Sequence, residues 1–311
     1  MKRLSAASFV AILAAVAMVA CSKKAAVEET PAVAAAEAMP ADTDNVHHLK
    51  VGALSAMALR DGGLEPPNDN KVFGVGKTPE DVAAVLSAAG QPTDKLSLSI
   101  QPLLVKAADR VLLFDTGAGS FVGPSAGHLQ ASLAEAGIDP ASVTDIFISH
   151  SHGDHVGGLV NAEGALSFPN ATIHLTEAEW NHLKSQKQYE TLAPVLEPKV
   201  DAFAPGAELI SGVVKAVDTH GHTPGHSSYL IGTGADSLLF VGDTMHHFVV
   251  SVQKPEWTIA FDGDNATATA TRIQLIADSA ASGQRVYAYH FPYPGVGKFG
   301  KEGETHQWVA E

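Results

Sequence analysis

His150-Ser151-His152-Gly153-Asp154-His155 follows directly on the apolar run Ile146-Phe147-Ile148-Ser149, so four potential metal ligands stand within six residues at the end of a strand-like segment. His150 and His152, two apart on extended backbone, point the same way, and Gly153 lets the chain turn so that Asp154 and His155 face a second point. One loop can therefore feed two neighbouring cation positions. Imidazole nitrogens suit borderline-soft divalent ions, and a carboxylate beside them adds the negative charge that keeps a second cation close. The pattern reads as a zinc-type donor set rather than a histidine-rich surface loop.

Outward from this loop, short apolar runs alternate with helical stretches. Upstream, residues 49–60 alternate loosely, Asp61-Gly62-Gly63 turns, and 97–106 lead through Ala107-Ala108-Asp109-Arg110 into Val111-Leu112-Leu113-Phe114, a hairpin. A helix fits 125–136, with Leu129 and Leu133 four apart on one face and Gly137 placed to end it. The motif itself follows a buried strand at 145–149. Downstream the spacing predicts strands at 171–175, 209–217, 227–231, 237–241 and 285–289, with helices at 176–187 and 268–281. Such an order suits an α/β layered body, two sheets between helices, with its site at strand ends.

The 311 residues are 45% hydrophobic, which excludes disorder throughout. A formal charge of -14 argues against nucleic acid or anionic lipid as a partner of the folded surface, because both need clustered Lys and Arg. The start reads as an address: Lys2 and Arg3, an apolar run over 9–20 that is short for a membrane span, then Cys21, the sole cysteine. It resembles a bacterial lipoprotein signal, with residues 1–20 removed and Cys21 carrying lipid; the plainer alternative is an ordinary secretory peptide cut nearby. Residues 21–45, rich in Ala, Glu, Pro and Thr, suit a flexible tether, and 46–311 read as one domain. An exported, periplasmic or membrane-anchored protein is expected. One cysteine permits no intrachain disulfide, so stability must come from core burial and bound metal.

Three further segments complete a pattern. His226 ends Gly221-His222-Thr223-Pro224-Gly225-His226, Asp243 sits in Phe240-Val241-Gly242-Asp243-Thr244, and His290 ends Val286-Tyr287-Ala288-Tyr289-His290. With His-x-His-x-Asp-His upstream, the chain resembles the metallo-β-lactamase superfamily. That resemblance implies an αββα sandwich of two mixed sheets between helix layers. It also implies two divalent metal ions, zinc in the first instance. His150, His152 and His226 would hold the first, Asp154, His155 and His290 the second, and Asp243 would bridge both. His220 and His222 read as supporting or surface residues, and His246 and His247 stay outside the ligand set. Pro224-Gly225 carries a type II turn signature that would hold His226 at a loop tip.

Phe114-Asp115-Thr116-Gly117-Ala118-Gly119, Phe121-Val122-Gly123-Pro124 and Phe291-Pro292-Tyr293-Pro294-Gly295-Val296-Gly297 resemble the methyl parathion hydrolase-like group, over most of the chain from about residue 48. The resemblance implies Asp115 orienting a ligand histidine. It also implies hydrolysis of small neutral lactones, aryl esters and, second, phosphotriesters by a metal-bridging hydroxide, with Asp154 as the catalytic carboxylate that orients the hydroxide and passes a proton to the leaving group. Phe121, Trp180, Phe291 and Tyr293 are candidate pocket walls. Alternatives are a glyoxalase II-like thioesterase, a β-lactamase, an iron-dependent oxidoreductase and a metal-binding lipoprotein without turnover. The cysteine lies in the leader, so it cannot be the thiolate ligand of some zinc β-lactamases, and His152 stands where flavodiiron proteins place Glu.

Overall fold

The computed structural model describes residues 40–311. The signal at 1–20 and all but residues 40–45 of the tether at 21–45 lie outside the described residues. The first strand begins at Val46, and the described residues form one compact unit.

Two seven-stranded sheets make the body. The first runs, in spatial order, Val46–Val51, Leu54–Leu59, Leu103–Ala107, Arg110–Phe114, Asp145–Phe147, Thr172–Thr176 and Val200–Phe203. The second runs Glu208–Ile210, Val214–Asp218, Ser227–Ile231, Leu238–Phe240, Arg285–Tyr287, Val296–Glu302 and Thr305–Ala310. Both are mixed: Arg110–Phe114 through Val200–Phe203 are parallel neighbours, as are Leu238–Phe240 and Arg285–Tyr287. The αββα layering that the resemblance implies, two mixed sheets between helices, is what the chain adopts.

Alternation inside each strand sorts the layers. In Arg110–Phe114, Leu112 and Phe114 face the other sheet, meeting Tyr229, Ile231, Leu238 and Phe240, while Leu113 faces outward to Leu129, Leu133 and Leu183 of two covering helices. The second sheet turns Leu239 and Val286 towards Leu275 and Ile276 of the helix Asn265–Ser282. Strands covered on both faces must be apolar on both faces, which is why these segments read as continuous hydrophobic runs.

Differences from the sequence reading are local. The helix expected at 125–136 forms only over Leu129–Glu135, because the Asp61 carboxylate accepts from Gly127 N and Leu129 N and holds the preceding residues in a loop. The run 209–217 is two strands, Glu208–Ile210 and Val214–Asp218, with Gly212 left-handed between them. A helix at Pro79–Ala88 goes beyond the sequence reading, although Thr78 and Asp81 form a reciprocal capping box and Pro79 opens it. It packs Val82 and Leu86 on Phe73, Leu98 and Ile259, a small satellite core beside the site. The C-terminal hairpin Val296–Glu302 with Thr305–Ala310 also extends the sheet beyond the expected strands.

Candidate metal centre

The site residues gather at one rim, where strands of both sheets end or begin. Asp115 follows Phe114, Ser149 to His155 follow Asp145–Phe147, Asp243 follows Leu238–Phe240, and His290 follows Arg285–Tyr287. His222 precedes Ser227–Ile231, which runs antiparallel to Leu238–Phe240 and so starts at that rim.

The donors fall into two groups: His150, His152, His222 and Asp243, and Asp154, His155 and His290. Asp243 joins them. Its Oδ2 lies 3.6 Å from His150 Nε2 and 3.4 Å from His222 Nε2, whereas its Oδ1 lies 3.2 Å from His155 Nε2 and 3.1 Å from His290 Nε2. Asp154 Oδ2 completes the second group at 3.6 Å from His155 Nε2 and 3.4 Å from His290 Nε2.

The ring nitrogens turned away from the centre are tied to the protein. His155 Nδ1 donates to Asp115 Oδ2 at 2.7 Å, His290 Nδ1 to the Ser99 carbonyl at 2.7 Å, and His222 Nδ1 to Asp262 Oδ1 at 3.0 Å. His150 Nδ1 meets Ser149 Oγ at 3.1 Å, and that hydroxyl donates onward to Asp115 Oδ2 at 2.7 Å. Such outer contacts fix the tautomer, leaving the inward nitrogen with a free lone pair. Asp115 thus takes the orienting place expected of it, on left-handed backbone at φ 56°. That conformation is uncommon for a non-glycine residue and concentrates at functional sites.

One expected ligand is corrected. His226 is buried beside the centre, but its Nε2 accepts the Asp243 backbone N–H at 2.9 Å and its Nδ1 faces Thr219, 2.9 Å from the hydroxyl and 3.1 Å from the carbonyl. Its only lone pair is spent holding the Asp243 main chain. His222, four residues earlier, occupies the expected place, its Nε2 3.2 Å from His150 Nε2 and 3.0 Å from His152 Nδ1. The turn differs as well. Gly225 does not adopt the positive φ of a type II turn. A side chain is excluded there by close approach instead, since a Cβ would sit 2.2 Å from the Glu179 nitrogen.

Glu179, Asp262 and Arg272 go beyond the sequence reading, and His246, which that reading left outside the ligand set, also reaches the centre. Buried Glu179 accepts from Ser151 N, Ser151 Oγ, Thr223 Oγ1 and Gly225 N, clamping the two ligand loops together. Asp262 links His222 to the buried Arg272 guanidinium at 3.2 Å. His246 places Nε2 3.2 Å from Asp243 Oδ2. His247, by contrast, caps the short helix Val250–Gln253, accepting from Val249 N and Val250 N, and His220 pairs with Asp218 at the surface.

The donor set suits a pair of divalent cations. His155 Nε2 and Asp243 Oδ1 are buried without a hydrogen-bond partner, a costly state that a cation would relieve. Burial pushes His222 down to about 4 and His226 down to about 3, so both are neutral imidazoles near pH 7. Burial opposes charge on Asp243, but His290, His155, His246 and His150 outweigh it and hold the carboxyl well below its usual range.

A cavity of 260 Å³ opens onto Asp154, Asp243 and His290, walled by Leu64, Leu98, Val122 and Phe261. Of the expected walls, Trp180 and Phe291 are buried in the outer cores and Tyr293 packs against the inter-sheet core, its hydroxyl donating to the Ala58 carbonyl. Phe121 alone stays near, its ring against Gly153.

The family model described as the metallo-beta-lactamase superfamily matches residues 99–281, more than half of the chain. YobT of Bacillus subtilis (strain 168) is 32% identical over 153 residues, 44% of this chain and 63% of that protein. An N-acyl homoserine lactonase of a Bacillus species is 36% identical over 103 residues, 32% of this chain and 38% of its own length. The chain thus spans less than two thirds of either relative. Among solved structures, AidC, a dizinc quorum-quenching lactonase in complex with a product, superposes with a TM-score of 0.80 at 26% identity, covering 86% of this chain and 97% of AidC. The hydrolase AbOPH gives 0.77 at 28% identity, covering 87% and 99%.

Proposed function

The chain belongs to the metallo-β-lactamase superfamily, and from that premise we propose that it is a metal-dependent hydrolase that cleaves small neutral esters and lactones with two zinc ions. Phosphotriesters are the second substrate class. The observation that carries this is the pair of donor groups joined through the two oxygens of Asp243, opening into a small, largely apolar cavity. His150, His152 and His222 with Asp243 Oδ2 would hold one cation, and Asp154, His155 and His290 with Asp243 Oδ1 the other. Paired divalent cations, when bound, lower the pKa of water towards neutrality and polarise the oxygen of the bond under attack.

The residues supply the rest. Asp154 lines the cavity and is placed to take a proton at its carboxylate from the attacking water and return it to the leaving oxygen. Leu64, Leu98, Val122 and Phe261 exclude bulk water and favour uncharged substrates. Lactonase character is supported by AidC and by the Bacillus lactonase.

A hydrolysis screen on metal-assayed protein is the test. Two zinc ions per chain are expected, with turnover of an aryl ester or lactone that a chelator abolishes and zinc restores. Preference for a thioester would replace this reading with a glyoxalase II-like one, and metal without turnover would sink it.

We propose further that the chain is exported and held at a membrane by lipid on Cys21, a reading supported by the sequence of the first 21 residues. Labelled palmitate should enter the wild type and not Cys21→Ala; equal labelling, or none in either, removes the anchor.

A further inference from the structure

In Val286-Tyr287-Ala288-Tyr289-His290 the alternation of the strand runs on past its end at Tyr287: Val286 and Ala288 enter the outer core, Tyr287 and Tyr289 the core between the sheets. The backbone that carries Tyr289 is pinned on both sides. Gln101 Nε2 donates to the Ala288 and Phe291 carbonyls at 2.9 Å each, and Ser99 N donates to the His290 carbonyl at 3.0 Å. Tyr289 itself is fully buried and is not among the residues lining the cavity, so a substrate there does not touch it.

Its ring nevertheless reaches every donor of the second group. The hydroxyl donates to the Asp154 carbonyl at 2.7 Å, the ring stacks on that of His155 with centroids 4.1 Å apart and planes at 30°, and it meets the His290 ring edge-on at 5.1 Å and 82°. Among the described residues it makes no hydrogen bond or ring contact with His150, His152 or His222.

These contacts supply restraints that the donors lack on their own. Asp115 fixes His155 at Nδ1, one point of the ring, and the stacked phenol opposes pivoting about that point. Asp154 belongs to the single helical turn Gly153–Val156, whose own ladder holds it weakly, and a hydroxyl 135 residues away in the chain anchors its main chain. A carbonyl can only accept, so the hydroxyl is the donor, and the buried tyrosine has the partner its polar end requires. We propose that Tyr289 is a positioning residue for the second cation site alone, its ring aligning His155 and its hydroxyl fixing Asp154. The assignment rests on the two-ion site proposed above. Tyr229 offers the contrast: equally buried in the same core, it donates to the Ile148 carbonyl at 2.6 Å, and its ring packs on Phe114, Phe147 and Phe203 rather than on a donor.

The test is zinc titration of the metal-stripped chain against a competing chromophoric chelator, which resolves two dissociation constants without any turnover. Tyr289→Phe keeps the ring and loses the hydroxyl; one Kd should rise about tenfold, and in Tyr289→Leu, which loses both, about a hundredfold, the usual scale for a residue that holds a ligand in place. The other Kd should not move. In His222→Ala, where the second site alone remains, Tyr289→Phe should weaken the remaining ion by the same factor. Tyr229→Phe, which also deletes a buried hydroxyl, should leave both constants unchanged. Both constants unaltered in Tyr289→Phe and Tyr289→Leu, or an equal rise in Tyr229→Phe, overturns the assignment and leaves the two-ion reading standing. Should Tyr289→Leu fail to fold, Tyr289→Phe set against Tyr229→Phe decides alone. A wild type that takes up a single ion removes the two-ion reading and the assignment together.

Discussion

Replacing His222 by Ala is expected to remove one metal ion per chain and slow hydrolysis by roughly a thousandfold, because a cation that polarises the reacting oxygen is worth several kcal/mol of barrier. His222 Nε2 converges with His150, His152 and Asp243, while its Nδ1 is anchored on Asp262. His226→Ala should behave differently. That ring touches the centre only by accepting the Asp243 backbone N–H, so its loss loosens the joining carboxylate without deleting a donor. Both metals should remain, with activity down by roughly 10–100-fold, the usual effect of an outer-shell change. Metal analysis of the two variants beside their rates decides the matter. One ion in His226→Ala and two in His222→Ala would reverse the assignment.

The same pair shows where the sequence was legible and where it was not. Gly221-His222-Thr223-Pro224-Gly225-His226 announces a ligand loop, and both histidines are buried as such a motif requires. Which of them points inward depends on Asp243, seventeen residues after His226 in the chain, whose main-chain N–H captures the later ring. No local spacing encodes that contact. The motif at 150–155 and the contributions of Asp243 and His290 could be anticipated because each residue directly follows a strand whose apolar run is visible. Glu179 was hidden for the opposite reason: on the helix Glu177–Ser185 it resembles its exposed neighbour Glu177, and only the approach of residues 151, 223 and 225 makes it a buried clamp. Aromatic walls were misjudged similarly, since Trp180 and Phe291 serve the cores, while Leu64, Leu98 and Phe261 reach the cavity from segments far apart in the sequence.

The largest expected effect on stability lies behind the centre. Arg272 is fully buried on the helix Asn265–Ser282; it donates to Asp262 Oδ2 at 3.2 Å and through Nε to the Pro255 carbonyl at 3.0 Å. Asp262 spends its other oxygen on His222. Arg272→Met therefore leaves a buried carboxylate without its cation, a change that costs about 3–5 kcal/mol. Denaturant unfolding of the metal-free protein should show a loss of this size, with the midpoint displaced and the slope retained. Adding Asp262→Asn should recover part of it, because the second change removes the uncompensated charge, so the two effects will not add. The metal-loaded form gives the functional half of the prediction. With Asp262 no longer held by Arg272, the carboxylate that orients His222 can shift, and zinc affinity should fall by roughly 10–100-fold even where the variant stays folded. Unaltered stability and unaltered zinc affinity in Arg272→Met would show that the pair neither supports the helix nor steers the ligand.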